Sequence, residues 1–161
     1  MSSRAFEVLR SWRSSPGIGP EGVVDLDVLR DWVNEARRLV GEAGRRAMGD
    51  HEIGRVLAFA PADPDGTAPP QAVRALLEEL RNDDIEDGLQ LDIINKRGLT
   101  SRGMHDGGDQ ERQLADTFRT DAAESTAWPR TRKLLRNLAD GYDREARQAD
   151  ERAERRRRGL D

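Results

Sequence analysis

The sequence predicts an all-α protein, an irregular bundle of about six to seven helices with a long, partly exposed C-terminal helix. Apolar residues recur at the three- and four-residue spacing of a helix face along most of the chain, and segments rich in proline and glycine separate these stretches. Only the stretch DDIEDGLQLDIIN also fits the alternation of a strand. A lone strand would have no partner elsewhere in this chain, so this stretch too is predicted to be a helix.

Three helices are predicted before residue 61. The segment RSSPGIGPEG ends the first, because its prolines and glycines interrupt helical structure. A long second helix follows with Asp25 or Asp27 as its N-cap, and Gly49 is predicted to end it. Asp50 is predicted to cap the third. The residues expected to face inward are Ala5, Phe6, Leu9 and Trp12 in the first helix; Leu29, Trp32, Val33, Ala36, Leu39, Val40 and Ala43 in the second; and Ile53, Val56, Leu57 and Ala60 in the third.

Two helices are predicted after the loop APADPDGTAPP. Pro70 suits the first turn of the fourth helix, because its φ is already helical and its missing N–H is not needed there. The fifth helix is DDIEDGLQLDIIN. The residues expected to face inward are Val73, Leu76, Leu77 and Leu80 in the fourth helix and Ile85, Leu89 and Ile93 in the fifth.

The last two helices follow a polar loop. Asp109 is the expected cap of the sixth helix, and Pro129 starts the seventh, which should run from about Arg130 to Arg158. Leucine gives way to alanine along the seventh helix, and its final turns are almost entirely charged, so its end should project into solvent or contact another chain. The inward residues are Leu114, Ala115, Phe118 and Ala122 in the sixth helix and Leu135, Leu138, Tyr142, Ala146, Ala149 and Ala153 in the seventh.

Composition narrows the class of protein. Charged residues make up 36% of the 161 and the net charge is −4, whereas a dedicated nucleic-acid binder usually has a clear basic excess. The absence of cysteine excludes disulfides, thiol nucleophiles and cysteine metal ligands. No signal pattern and no apolar run of roughly 20 residues is present, so we expect a cytoplasmic protein that does not associate with membranes.

The loop NKRGLTSRGMHDGGDQER, residues 95–112, has the glycine spacing of a phosphate-binding loop at residues 98–103. Met104 and His105 stand where that motif needs a lysine and then a serine or threonine. The group that reaches the phosphates and the hydroxyl that holds magnesium are therefore both missing. Nearby carboxylates would also repel a phosphate from the start of the next helix.

The favoured interpretation of this loop is a polar connection between helices. Its arginines are expected to pair with its acids, Arg97 and Arg102 with Asp106 and Asp109. His105 could act as an acid or a base if the loop formed a site. It has no serine or cysteine partner nearby in the sequence, which favours a solvated histidine.

Other motifs are weaker. GIGPEG has the glycine spacing of a dinucleotide-binding turn, but a helix precedes it and Pro20 interrupts it. DPDG resembles part of a calcium-binding loop, yet Ala72 stands where the bidentate glutamate belongs. His51 is predicted in an early turn of its helix, and it lacks the HxxxH or HExxH spacing of a metal site. We therefore predict no metal site and no cofactor.

The chain ends in ERAERRRRGLD. Arginines in a last helical turn complement the helix dipole, and Gly159 is a stop signal, so the run has a purely structural interpretation. The alternative is a basic clamp for nucleic acid or for an acidic partner, extended by Arg130, Arg132 and Lys133.

Three strings, GDHEIGRVLAFAPADPDG, NKRGLTSRGMHDGGDQERQLADTFR and WPRTRKLLRNLADGYDREARQAD, resemble a helical region of uncharacterised proteins from GC-rich bacteria. Some of these proteins are labelled helix-turn-helix regulators or antitoxin-like proteins. The resemblance covers residues 21–153 and implies an accessory or C-terminal domain, because this chain has no recognisable helix-turn-helix. It implies no catalytic residue.

The predicted function is a non-enzymatic helical protein-interaction or regulatory domain, which the resemblance would place in a larger bacterial regulatory or defence-related protein. Its partner should be another protein or a second copy, bound through the C-terminal helix. The alternative is nucleic-acid binding by the arginine-rich helix, and an enzyme that uses the polar loop ranks last. We expect one domain, 1–161, with possible lobes 1–95 and 108–161 joined by the loop 96–107. The candidate interaction surface comprises Arg97, Arg102, His105, Asp106, Asp109, Arg155, Arg156, Arg157 and Arg158.

Overall fold

The computed structural model describes residues 11–96 and 108–159, and this part of the chain is all-α, as the sequence predicts. It contains six helices and no strand, and Ile18 and Val24 form an isolated antiparallel bridge. The helix expected at residues 5–12 falls mainly outside the described part. The helices are α1 (Leu26–Glu42), α2 (Arg46–Leu57), α3 (Gln71–Leu80), α4 (Asp83–Lys96), α5 (Asp109–Glu124) and α6 (Pro129–Arg157).

The chain divides into two compact units, Met1–Lys96 and Arg97–Asp161. In the first unit α1 packs on α2 and α3, and α2 packs on α4. In the second unit α5 and α6 pack against each other as an antiparallel pair. The largest fully buried side chains are Leu29, Val33, Ile53, Val56, Leu57, Val73, Leu76, Leu77, Ile85, Leu89, Leu135 and Leu138.

Helix α1 begins at the predicted cap. The carboxylate of Asp25 accepts hydrogen bonds from the backbone N–H groups of Asp27 and Val28, at 2.9 and 3.0 Å. Two amides that have no partner within the helix are thereby satisfied.

The predicted end of this helix is wrong. The sequence predicts that Gly49 ends α1 and that Asp50 caps the next helix, but α1 ends at Glu42 and both residues lie inside α2. The chain turns at Gly44, whose φ of +68° suits glycine. Gly49 instead allows close packing, because a Cβ there would lie 2.5 Å from the side chain of Val40.

The inward face of α1 is narrower than predicted. Leu29, Val33, Ala36 and Val40 are buried, as expected. Trp32 is only half-buried and Leu39 is 40% exposed, because they lie at the edges of this stripe. Trp12 is also 37% exposed, and its ring lies 6.0 Å from that of Trp32 at the surface.

Helices α2 and α4 cross at two glycines. A Cβ on Gly54 would lie 1.9 Å from the carbonyl oxygen of Ile85, and a Cβ on Gly88 would lie 1.9 Å from that of His51. Only residues without a side chain allow the two backbones to approach so closely. His51 therefore lies in the middle of α2 at a crossing, and its predicted place in an early turn is wrong.

Helix α3 starts one residue later than Pro70, which is its N-cap. The preceding loop is joined to it by Asp63, whose carboxylate accepts from the backbone N–H of Gln71 at 2.8 Å and from Arg74 at 2.7 Å. The helix ends at Leu80, and its C-cap residue, Arg81, has a positive φ of 47°.

The stretch DDIEDGLQLDIIN is a helix, as predicted. Ile85 and Leu89 are almost completely buried, whereas Leu91 is 42% exposed. A strand would place Leu89 and Leu91 on the same face, so the burial pattern follows the helical period.

Helices α5 and α6 pack against each other through small residues and one pair of stacked aromatic rings. A Cβ on Gly108 would lie 2.4 Å from the backbone of Ala146, so the start of α5 rests directly on α6. Further along, the rings of Phe118 and Tyr142 stack with centroids 5.7 Å apart and planes 12° apart. The predicted inward stripe of α6 is buried throughout.

Among the described helices, none is both long enough and apolar enough to cross a membrane.

Candidate interaction surface

Four of the predicted surface residues lie outside the described part of the chain. They are Arg97, Arg102, His105 and Asp106. The expected pairing of the two arginines with acids of the same loop therefore stays a prediction.

Asp109 is the first residue of α5, and the prediction that it caps this helix is wrong. The N-cap position belongs to Gly108, which has no side chain to serve as a cap. The backbone N–H of Gly108 instead donates to the carboxylate of Asp150 on α6 at 2.8 Å. The carboxylate of Asp109 is highly exposed and accepts from Arg112 at 2.7 Å.

Arg112 joins α5 to α6 at this end of the second unit. It pairs with Asp109 on its own helix and with Asp150 on α6. The hydrogen bond from Gly108, together with the charges of Arg112 and Arg157, lowers the pKa of Asp150. Asp109 and the end of α6 are thus brought to the same end of the α5–α6 pair.

The terminal turn of α6, defined here as Arg155, Arg156, Arg157 and Arg158, is exposed. Arg158 pairs with Glu154 one turn earlier. Gly108 contacts α6 at Ala146 and Asp150, and the helix continues from Asp150 to Arg157, about 10 Å at 1.5 Å per residue. The terminal turn therefore extends past the start of α5.

The alanine stripe of α6 is not free to bind a partner. Ala146, Ala149 and Ala153 are 2%, 5% and 3% exposed, so this face is already buried within the chain. Any partner of α6 must contact its polar outer face.

This outer face carries an open groove of about 460 Å³ in the first half of the helix. We call it the α6 groove. The residues that form its polar lining are Thr126, Arg132, Lys133, Arg136, Asn137 and Asp140. Thr126 precedes α6, and the other five recur at helical spacing on the side of α6 opposite the buried stripe, so their side chains form one surface.

The cations of the α6 groove differ from the arginines that join helices through ion pairs. In the described part of the chain, Arg132, Lys133 and Arg136 form no ion pair, and Asp140 forms none either. Elsewhere arginine is regularly paired with carboxylates, at Arg30, Arg37, Arg38, Arg55, Arg74, Arg112, Arg119 and Arg158. Cations without internal partners are available to an external anion.

The prediction from the sequence included Arg132 and Lys133 only as an extension of a nucleic-acid clamp. It did not include Arg136, Asn137 and Asp140. Their spacing could have identified them. Polar residues recur at helical spacing between the buried positions of α6, at 132, 133, 136, 137 and 140. No acid occurs between Pro129 and Asp140.

The first unit holds a second polar cluster, which is buried. Asp50 is 1% exposed and accepts from Arg37 at 2.9 and 3.1 Å and from Asn82 at 2.9 Å. Arg55 pairs with Glu52 at 3.0 Å and with Asp92 at 3.1 Å, joining α2 to α4. These carboxylates have arginine partners inside the fold, which gives the cluster a structural role.

No group of three or more histidine, aspartate or glutamate side chains is arranged to hold a metal ion in residues 11–96 and 108–159.

Comparison of the chain with models of protein families, with curated proteins and with solved structures finds no match.

Proposed function

We propose that this chain is a non-enzymatic domain that binds a protein partner through the outer face of α6, using the α6 groove and the terminal turn. The observation that supports it best is a set of cations on one exposed face of a helix, Arg132, Lys133 and Arg136, that have no ion-pair partner among residues 11–96 and 108–159. Charged residues of this kind, when they cluster on one surface, attract and orient a partner of opposite charge.

The shape of α6 suits this role. The helix has 29 residues, about 44 Å at 1.5 Å per residue. Its inner face is held by α5 through the Phe118–Tyr142 stack and by the ion pairs of Arg112 and Arg119. A helix held along its inner face presents its exposed side chains in a fixed arrangement, which reduces the entropy lost on binding.

The buried charges also support a binding role over a catalytic one. Asp50 and Asp92 are the least exposed carboxylates among residues 11–96, and each is paired with an arginine. Both carboxylates are already used to hold helices together, which supports a structural role for them over a catalytic one.

The test is affinity capture with tagged chain from the cells that produce it. One variant neutralises both proposed contact regions by replacing the cations of the α6 groove and of the terminal turn with glutamine. A control variant neutralises Arg144, Arg147 and Arg152, which lie on the same helix between the two regions. Circular dichroism establishes that both variants keep their helices.

We expect the wild-type chain and the control variant to retain the same protein, and the first variant to lose it. Equal retention by all three chains would refute binding through these regions. Light scattering coupled to size-exclusion chromatography separates a second copy of the chain from a different partner, because only the former doubles the mass of the purified protein.

Nucleic-acid binding is the second candidate, and the arrangement of basic residues on α6 favours it. The α6 groove and the terminal turn are both basic, and Arg132 and Arg157 are about 38 Å apart along the helix. Such binding should weaken steeply with salt and disappear when residues 155–158 are removed. A labelled DNA duplex that does not shift at low salt would exclude it.

A further inference from the structure

The α6 groove combines charges of both signs in a fixed order. Arg132, Arg136 and Asp140 follow at successive turns, about 6 Å apart along the helix axis. Lys133 lies beside the two arginines, so the cations occupy one end and the single acid the other. A ligand that matches this order needs anionic groups next to a cation or hydrogen-bond donor.

Arg132 is more firmly positioned than an ordinary surface arginine. The residue is half-buried, and its Nε atom is buried without a hydrogen-bond partner. The enclosed stem limits the rotamers open to the guanidinium, which lowers the entropy cost of binding an anion. An anion beside this guanidinium would also stabilise a charge that has no counter-ion in the described part of the chain.

The groove also offers neutral hydrogen-bonding groups. The hydroxyl of Thr126 and the amide of Asn137 both line it. A carboxamide and a hydroxyl can each donate and accept, so they suit the peptide groups and side chains of a polypeptide.

We propose that the α6 groove binds an acidic segment of a protein partner, with carboxylates of the segment at Arg132, Lys133 and Arg136 and a basic side chain or N–H donor at Asp140. The proposal rests on the proposed function and names the chemistry of the partner at this site. The volume of about 460 Å³ accommodates a few side chains.

A uniform polyanion fits the same groove less well. Asp140 would face a phosphate of a nucleic acid without a counter-ion, and like charges at contact oppose binding. The net charge of −4 adds repulsion that grows with the charge of the ligand. A short segment that carries acids followed by a base avoids both penalties.

The experiment is fluorescence anisotropy with three labelled probes. These are a peptide of glutamates followed by a lysine, a peptide of glutamates alone, and a DNA duplex. The chains compared are the wild type, the groove variant (Arg132→Gln, Lys133→Gln and Arg136→Gln), the control variant (Arg144→Gln, Arg147→Gln and Arg152→Gln) and Asp140→Asn. The groove and control variants each lose three positive charges from α6, so they differ only in the position of those charges along the helix.

We expect the wild type to bind the mixed peptide most tightly. The groove variant should bind it roughly tenfold more weakly, as the loss of three exposed charge pairs implies, and the control variant within about twofold of wild type. Asp140→Asn should weaken the mixed peptide and strengthen both the glutamate peptide and the DNA duplex.

Equal weakening in the groove and control variants would overturn the proposal, because it would show attraction by overall charge only. Tightest binding of the DNA duplex by the wild type would overturn it in favour of nucleic acid. The proposed function is judged separately by capture. If the groove variant still captures the protein that the wild type captures, while loss of the terminal turn abolishes capture, the function stands and the groove assignment fails.

Discussion

Asp50 is a buried carboxylate that connects α2 to α1 and to the residue before α4. It is 1% exposed and receives hydrogen bonds from Arg37 and Asn82. Removing it leaves the partly buried guanidinium of Arg37 and the partly buried amide of Asn82 without this acceptor.

We expect Asp50→Ala to lower the free energy of unfolding by about 3–5 kcal/mol, the usual cost of breaking a buried ion pair. Urea denaturation monitored by circular dichroism measures it. Glu35→Ala is the control, because it breaks an exposed ion pair with Arg38 and should change stability little. If the two variants lost the same stability, the buried network would not have the role assigned to it.

Gly88 and Gly54 are required by the crossing of α2 and α4. Alanine is intrinsically favoured over glycine in a helix by about 1 kcal/mol. At Gly88, however, a Cβ would lie 1.9 Å from a backbone oxygen, which cannot move aside like a side chain. We expect Gly88→Ala to destabilise the protein by at least about 2 kcal/mol.

Gly141 provides the matched control on α6. The nearest atom to a Cβ there is 3.8 Å away, at the flexible end of Arg144. Gly141→Ala should therefore stabilise the protein by roughly 0.5–1 kcal/mol. The two thermal midpoints should move in opposite directions, and a rise in both would disprove the close crossing.

Most of the buried helix faces were predictable, whereas several helix boundaries, among them the end of α1, were not. Ile85 and Leu89 are spaced as a helix requires, and the structure buries both. The end of α1 could not be read from the sequence, because Gly41, Gly44 and Gly49 are all plausible stops. The conformation of Gly44 and the packing of Gly49 on Val40 decide it, and both depend on the tertiary fold.

The α6 groove was only partly predictable for a similar reason. The cations 132, 133 and 136 are visible in the sequence, but whether each has an internal partner is not. Arg112 and Arg119 are equally charged and pair with acids on α6. Only the packing of the helices distinguishes a cation that supports the fold from one that is free to bind.

Asp150 links the start of α5 to the end of α6, and its contribution should depend on pH. The hydrogen bond from Gly108 and the charges of Arg112 and Arg157 lower its pKa from the ordinary value of 3.8. The ionised form is therefore favoured by folding. Its stabilising effect is complete above pH 3.8 and is lost as the pH falls through the lower pKa of the folded state.

We expect Asp150→Asn to be less stable than the wild type at neutral pH and to approach it in acid. Thermal midpoints measured from neutral pH to below pH 3.8 follow the difference. A difference that stayed constant across this range would show that the charge of Asp150 does not contribute.

In the whole molecule, positive and negative charges are nearly equal in number, but a group of positive charges lies at one surface of α6. The net charge is −4, yet the outer face of α6 carries, before its first acid Asp140, three cations without an ion-pair partner in the part of the chain that the structure describes. At physiological ionic strength charges are screened within about 8 Å, so a partner at this face responds to the local cluster more than to the net charge.

Lysine footprinting tests directly whether a protein partner covers the α6 groove. The sequence contains two lysines. Lys133 lies in the groove, whereas Lys96 donates to the carbonyl oxygen of Ala58 at 2.6 Å and lies over the ring of Phe59 in the first unit. Each lysine can be followed by mass spectrometry after brief acetylation of the free chain and of the chain bound to its captured partner. We predict that binding slows the acetylation of Lys133 and leaves that of Lys96 unchanged. Equal acetylation of Lys133 in the free and the fully bound chain would contradict the proposal.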